Sequence, residues 1–139
     1  MVKARTSKIN RAAPSPRHNL EHYCRDLNGW PRSWMGLEKN LPPGAQLLML
    51  FRPFLESLAA SDLSPKTIQK HVDNIWALGG EFIRDLHNDP SLRKKPVARI
   101  ISQMIEYGGP LLYHGGEDQQ RSFDSTCRKL RRFLAETAC

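Results

Sequence analysis

The sequence predicts an all-α protein, built as a small four-helix bundle behind a flexible basic N-terminal arm. From Leu41 onward apolar residues recur at three- and four-residue spacing, no alternating stretch is long enough for a strand, and proline and glycine pairs separate the periodic stretches. The 139 residues are 40% hydrophobic and 25% charged, which suits one domain with a core of normal size. We expect a helical domain over residues 41–139. Residues 1–40 should form a largely flexible arm that ends in a tryptophan-containing turn segment.

The first two helices have recognisable boundaries. The first should follow Pro42-Pro43-Gly44, and Pro53 inside it should cause a kink or a late start because proline lacks the amide for the i to i−4 bond. The second should begin with Ser64 as N-cap and Pro65 at the first helical position, and end near residue 88. Its expected core stripe is Ile68, Val72, Ile75, Trp76, Phe82, Ile83 and Leu86.

Glycine pairs interrupt or end the helices predicted in the rest of the chain. Gly79-Gly80 interrupts the second helix, where glycine costs about 1 kcal/mol relative to alanine, so we expect a bend or a closely packed neighbour there. The third helix is expected over residues 96–107, stopped by Gly108-Gly109-Pro110. The fourth is expected over residues 118–137, after a loop. It combines an apolar face with a basic one, formed by Arg121, Arg128, Lys129, Arg131 and Arg132.

The charge distribution favours an anionic partner. Lysine and arginine number 21 against 14 aspartates and glutamates, a formal net charge of +7. Residues 1–32 hold seven basic and two acidic residues, so they carry +5 and leave +2 for the remainder. Mobile basic arms displace counterions from nucleic acid, but a solvated tail that binds nothing has the same composition, and both interpretations stay open.

Several classes of protein are excluded or disfavoured. No apolar run approaches the roughly 20 residues of a membrane span, and no hydrophobic stretch follows the basic start, so we expect a cytoplasmic protein. Three cysteines imply no disulfide framework. His18, His22 and Cys24 match no common zinc spacing, and we expect no metal and no cofactor. Because the sequence contains no carboxylate pair, nucleophile elbow or phosphate-binding loop, we expect no enzyme.

Four residues have both a functional and a structural interpretation. Cys127 falls on the apolar face of the last helix and should be a core residue rather than a nucleophile. His71 should border a core or surface contact rather than act as a general base. Trp30 and Trp34 could stack on bases or anchor a partner if they were exposed. Since large aromatic side chains are usually buried when they can be, we expect them to fold back over the first helices.

Three stretches resemble the SAM-like core-binding domain of tyrosine recombinases (phage integrases). They read Phe51-Arg52-Pro53-Phe54-Leu55-Glu56-Ser57-Leu58, Leu63-Ser64-Pro65-Lys66-Thr67-Ile68 and Cys127-Arg128-Lys129-Leu130-Arg131-Arg132-Phe133-Leu134. The likeness covers about residues 45–135, and its most distinctive part is the Leu-Ser-Pro-Lys-Thr-Ile step. Two departures stand out. His71 occupies a position where the family usually has tyrosine, and the chain ends where the catalytic domain would begin.

The resemblance implies binding to duplex DNA, because in that family the domain is a helical bundle that forms half of a clamp around the duplex, mainly through phosphate contacts. It also implies binding without strand cleavage, because the catalytic arginines, histidines and tyrosine have no counterpart here. Elementary electrostatics agrees, since a helix N-terminus offers amides to a phosphate and lysines add charge. The implied contact residues are Lys66, Thr67, Lys70, Arg128, Lys129 and Arg132.

Three functional hypotheses follow. The first is a non-catalytic module of a mobile element or phage that grips the backbone of duplex DNA through basic helix faces. The alternative is a phage- or mobile-element-encoded protein-binding factor, such as an inhibitor of a host defence complex, whose basic faces meet acidic protein or bound nucleic acid. The third is a recombinase remnant without activity of its own. Acidic residues among the basic ones of the first two helices count against the first hypothesis: Asp62, Asp73, Glu81 and Asp85.

Overall fold

The computed structural model describes residues 19–112 and 115–137, and these residues form helices without any strand. The expected all-α class is therefore confirmed. In these two described ranges, three 3-10 turns, Leu27–Gly29, Glu38–Asn40 and Pro90–Lys94, lie between the helices. No helix in these stretches is long and apolar enough to cross a bilayer. The α-helices, in chain order, are α1 (Leu20–Tyr23), α2 (Trp30–Met35), α3 (Leu41–Ala59), α4 (Pro65–Asn88), α5 (Val97–Met104) and α6 (Glu117–Thr137).

The four longer helices, α3 to α6, are the four that the sequence predicts. α3 packs against α2, α4 and α5, while α4 packs against α6. Phe51 of α3, Phe82 of α4 and Phe123 of α6 are fully buried in the core that these helices share. α3 begins at Leu41 rather than after Gly44, because Pro42 lies in the first turn, where a missing amide costs nothing. Pro53 lies inside the helix, so of the two expected consequences the late start does not occur.

The start of α4 is confirmed in detail, and its core stripe needs one correction. The Ser64 side chain accepts a hydrogen bond from the Thr67 amide at 3.2 Å, and Pro65 occupies the first helical position. Trp76, expected in the core, is 45% exposed. Successive helical residues are about 100° apart around the axis, so Trp76 points well away from the buried Ile75. The buried stripe continues instead through Leu78.

Residues 19–40, which we assigned to the flexible arm, belong to the helical domain. Tyr23, Trp30 and Trp34 are buried in the same core as the long helices, which confirms that the two tryptophans fold back. The Trp34 indole N–H donates to the Trp76 carbonyl at 2.9 Å, and its ring lies so close to Gly79 that a Cβ atom there would overlap it. The close neighbour expected at this glycine is therefore Trp34. Residues 1–18 of the expected arm lie outside the described residues.

The connection from α5 to α6 docks on α6 through two glycines. α5 ends at Met104, earlier than expected, and a turn leads to Gly108, whose φ of +111° suits glycine. The Gly109 amide donates to the Asp124 carboxylate at 2.9 Å, and a Cβ atom on Gly109 would overlap Phe123. This close approach holds the loop against the first half of α6.

Candidate nucleic-acid interface

A ladder of polar side chains, buried at His71, Asn74 and Thr126, joins α4 to α6. His71 Nδ1 lies 2.7 Å from the Thr126 hydroxyl, and the Asn74 amide donates to Thr126 at 2.9 Å and to the Ser122 hydroxyl at 3.1 Å. Gln119 extends the ladder by donating to Asn74 at 3.4 Å. Partner numbers fall along α6 as they rise along α4, so the two helices run antiparallel. The ladder thereby fixes which residues of the two helices are neighbours.

The ladder is fully bonded when His71 carries its proton on Nδ1. The Thr126 hydroxyl donates to the Ser122 carbonyl at 3.2 Å, which leaves its oxygen to accept from Asn74 and from the imidazole N–H. Burial, followed by the nearby Lys129 and Lys70, lowers the pKa of His71. The imidazole is therefore neutral at pH 7, which suits a buried bonding role and confirms that His71 borders a contact between helices.

The ladder places the two helix stretches that hold the predicted contact residues side by side. Lys66 and Lys70 are exposed on the first half of α4, and Thr67 is half-buried beside them. With residue 71 opposite residue 126, the next turns of α6 lie beside this stretch, and Lys70 and Lys129 both act on His71. We call this surface the basic face, defined by Lys66, Thr67, Lys70, Arg128, Lys129 and Arg132.

The cations of the basic face are available to an anion. In the parts of the chain that the structure describes, the ion pairs within 4.0 Å join Arg84 to Glu81 and Arg121 to Glu117 and Asp118, and none involves the basic face. Arg128 and Arg132 are exposed, while Lys129 is half-buried against α4. Among the described residues, none of the five positive side chains of the basic face therefore has an ion-pair partner within 4.0 Å.

Two of the four acidic residues that counted against DNA binding have partners elsewhere, and a third is half-buried. Asp73 accepts from Gln69 at 2.9 Å, and Gln69 also donates to the Tyr23 carbonyl, which places this pair on the α1 side of α4. Glu81 pairs with Arg84. Asp85 is half-buried, and burial raises the pKa of its carboxyl group. The fourth, Asp62, precedes α4 and is exposed.

The N-terminus of α4 offers a phosphate fewer amides than expected. Pro65 has no N–H, and the Thr67 amide is already bonded to the Ser64 side chain. The Thr67 hydroxyl also accepts from the Ser64 hydroxyl at 2.9 Å. Of the first three backbone positions only Lys66 keeps an N–H for a ligand, so lysine side chains rather than helix amides must provide most of the attraction here.

The other sequence candidates are structural. Cys127 is fully buried, and burial, together with the nearby Asp124, raises the pKa of its thiol to about 12, which confirms a core residue rather than a nucleophile. Cys24 is buried too, and burial raises its thiol pKa to about 11. His18 lies outside the described residues. Among residues 19–112 and 115–137, no group of three histidine, cysteine, aspartate or glutamate side chains could hold a metal ion.

Sequence reasoning missed the ladder itself. Asn74, Ser122 and Gln119 were not singled out, although Ser122 and Thr126 lie one helical turn apart and His71 and Asn74 do likewise. Two such polar pairs within amphipathic helices are the signal that could have indicated a bonded helix pair. The signal does not say which helix faces which.

Comparisons of the chain with protein-family models, with curated proteins and with solved structures find no significant match. The position and charge of the basic face are therefore the basis of the proposed function, and the resemblance to the core-binding domain supplies its proposed biological setting.

Proposed function

We propose that this chain is a non-catalytic module that binds the phosphate backbone of duplex DNA, as part of a mobile element or phage. The observation that supports the binding role is the basic face, where cations of two neighbouring helices have no acidic partner within 4.0 Å among the described residues. The mobile-element or phage setting follows from the resemblance to the core-binding domain of tyrosine recombinases. Phosphate contacts position a protein on DNA without reading its sequence, so we expect little sequence preference.

The shape of the basic face suits a duplex better than a small anion. Its charges lie along the outside of two antiparallel helices, joined by the ladder between His71 and Thr126, rather than in a closed cavity. A row of separated cations can neutralise successive phosphates and release their condensed counterions. Binding should therefore weaken steeply as salt concentration rises.

The test compares charge reversals on and off the basic face. Lys66→Glu and Arg128→Glu should each weaken binding to a labelled duplex by about tenfold at 100 mM salt, as expected for loss of about 1.4 kcal/mol. Arg99→Glu, on the exposed side of α5, makes the same change in net charge and is the matched control. Fluorescence anisotropy of the full-length variants measures all three affinities.

Two outcomes would reject the proposed site. If Arg99→Glu weakens binding as much as Lys66→Glu, net charge or another surface mediates the interaction. If the wild-type chain does not bind duplex DNA even at low salt, DNA recognition is wrong and the protein-binding function takes its place. One observation favours that second function: Trp76 leaves a large aromatic surface exposed on the flank of α4 beside α2. Under the DNA-binding function, Trp76→Ala should leave duplex affinity unchanged.

A further inference from the structure

A second basic site lies at the opposite end of α4. A cavity of about 240 Å³ opens between the last turns of α4, the Pro90–Lys94 turn and the starts of α3 and α5. Its floor is apolar and includes Phe82, Leu86 and Ile100. Its polar rim carries three positive side chains, and none of its described lining residues is acidic. We call this cavity the Arg93 pocket, after the central of its cations, Lys39, Arg93 and Lys95.

Arg93 is held in place with part of its hydrogen-bonding capacity unused. Its Nη2 donates to the buried Asn40 side chain at 2.5 Å, and its Nη1 donates to the Lys39 carbonyl at 3.5 Å. Asn40 is itself fixed, because its side-chain amide donates to the Met35 carbonyl at 2.5 Å. The Nε atom of Arg93 is buried and has no partner in the part of the chain described. Buried donors without a partner are rare in native proteins.

The chemistry of the pocket selects a carboxylate beside an apolar group. A planar guanidinium forms paired hydrogen bonds with carboxylates, and because Asn40 pre-orients Arg93, less side-chain entropy is lost on binding. Lys39 and Lys95 are exposed and add positive charge at the rim. The apolar floor requires a hydrocarbon side chain, which a DNA backbone does not supply. The volume is below the roughly 300 Å³ of small cofactor sites, but it accommodates a side chain.

We propose that the Arg93 pocket binds a segment of a partner protein in which a leucine-like side chain is flanked by carboxylates. Lys70 and Leu86 are 16 positions apart, about 24 Å along α4, so this site is separate from the basic face. A protein segment could therefore bind while the basic face is occupied by another ligand. The proposal holds whether or not the chain binds DNA.

The test uses a blocked glutamate–leucine–glutamate tripeptide and methyl NMR of the full-length chain. Leu92, Val97 and Ile100 supply methyl groups in the pocket, and their signals should shift on titration. Glutamine–leucine–glutamine removes the charge, and glutamate–alanine–glutamate removes the apolar side chain. Each control peptide should bind at least roughly fivefold more weakly, since two or three exposed charge pairs or one partly buried side chain contribute about 1 kcal/mol.

Variants show where the tripeptide binds, and a stability measurement distinguishes lost binding from misfolding. Arg93→Gln should weaken the tripeptide more than loss of a rim lysine does, but it also removes a bond to Asn40, so its thermal midpoint must be measured. Lys95→Gln changes an exposed rim residue and should weaken the tripeptide by roughly twofold to threefold, as a single exposed pair does. Lys66→Gln on the basic face is the matched control and should leave the tripeptide affinity unchanged.

Three results would overturn the proposal. The first is equal binding of the three peptides, because the pocket would then select neither charge nor apolar size. The second is a complete lack of methyl shifts up to the solubility limit of the peptide. The third is that a short DNA duplex shifts the Leu92, Val97 and Ile100 methyl groups and the acidic peptide does not, which would assign the pocket to nucleic acid.

Discussion

The two flanks of α4 are packed by different chemistry. Toward α2 and α3 the contacts are aromatic and close: the Trp34 ring lies against Gly79 and meets Phe51 edge-on, with ring centroids 6.4 Å apart. Toward α6 the contacts include the hydrogen bonds of His71 and Asn74 with Thr126. Apolar burial is strong but non-directional, whereas a hydrogen bond is weak in net energy but strict in geometry.

The two flanks of α4 should therefore have different roles in the fold. The aromatic flank should provide most of the stability, because it removes large apolar surfaces from water. The polar flank should determine how α6 is aligned on α4, and hence where Arg128 and Arg132 lie relative to Lys70. Substitutions in the two flanks should therefore differ in their effects on the free energy of unfolding and on duplex affinity.

The largest effect is expected at the closest contact. Gly79→Ala would drive a Cβ atom into the Trp34 ring, which cannot move easily because its N–H is bonded to the Trp76 carbonyl. We expect a loss of about 3 kcal/mol in the free energy of unfolding, at the upper end of overpacking costs. Gly80→Ala is the matched control, since open space surrounds that position, and it should stabilise the helix by up to about 1 kcal/mol. Urea unfolding of both variants measures the difference, and equal stabilities would contradict the close-packing account.

The second-largest loss of stability is expected from a substitution in the ladder between α4 and α6. Thr126→Val keeps the side-chain shape but leaves His71 and Asn74 without a shared partner in the buried interface. Unsatisfied buried groups of this kind cost about 2 kcal/mol. Thr137→Val removes an exposed hydroxyl at the end of the same helix and should cost less than about 0.5 kcal/mol. Thermal or urea unfolding distinguishes the two, and a neutral Thr126→Val would show that the ladder does not hold the helices together.

A smaller effect is expected at the start of α4. Ser64→Ala removes the cap of the Thr67 amide and should cost about 1 kcal/mol of stability. Ser57→Ala, at an exposed position within α3, is the control and should change the free energy of unfolding by less than about 0.5 kcal/mol. Circular dichroism during urea unfolding measures both, and a cap variant as stable as the wild type would argue against this helix start.

The smallest effect is expected in the pH dependence of the stability of the fold. Because burial and two lysines lower the pKa of His71 from 6.5, the unfolded chain takes up this proton more readily than the folded chain. The contribution to stability is therefore fully present above pH 6.5 and is lost as the pH falls below that value. His71→Gln should remove this part of the pH dependence, whereas His87→Gln, at an exposed position on the same helix, should keep it. Unfolding midpoints between pH 7.5 and 5.5 compare the two variants.

Features of the fold that depend on residues close together in the sequence could be predicted, and features that depend on distant residues could not. The Ser64-Pro65 start of α4 is local chemistry within four residues, and the structure confirms it. α2 has only six residues, too few for an apolar period, so residues 30–35 were expected to form a turn in the arm. Their burial depends on Trp34 meeting Gly79, 45 positions away in the sequence, and no local pattern specifies such a pairing.

The candidate site also has parts that the sequence could predict and parts that it could not. The six residues of the basic face could be named from the sequence, but their assembly on one surface depends on the bond between His71 and Thr126, which are 55 positions apart. The shortage of amides at the start of α4 could have been deduced, because Pro65 lacks an N–H and an N-cap serine occupies another. The Arg93 pocket could not, since its cations come from two distant segments.

Under the proposed function, the basic face rather than the N-terminal arm holds duplex DNA. The most direct measurement is the salt dependence of duplex affinity for a full-length chain in which Lys3, Arg5, Lys8, Arg11 and Arg17 are replaced by glutamine. If the five cations of the basic face each meet a phosphate, log K should still fall with log salt at a slope of up to about −4.5, and Lys70→Gln should reduce it by about one. A slope near zero in the arm variant, with binding lost, would contradict the account.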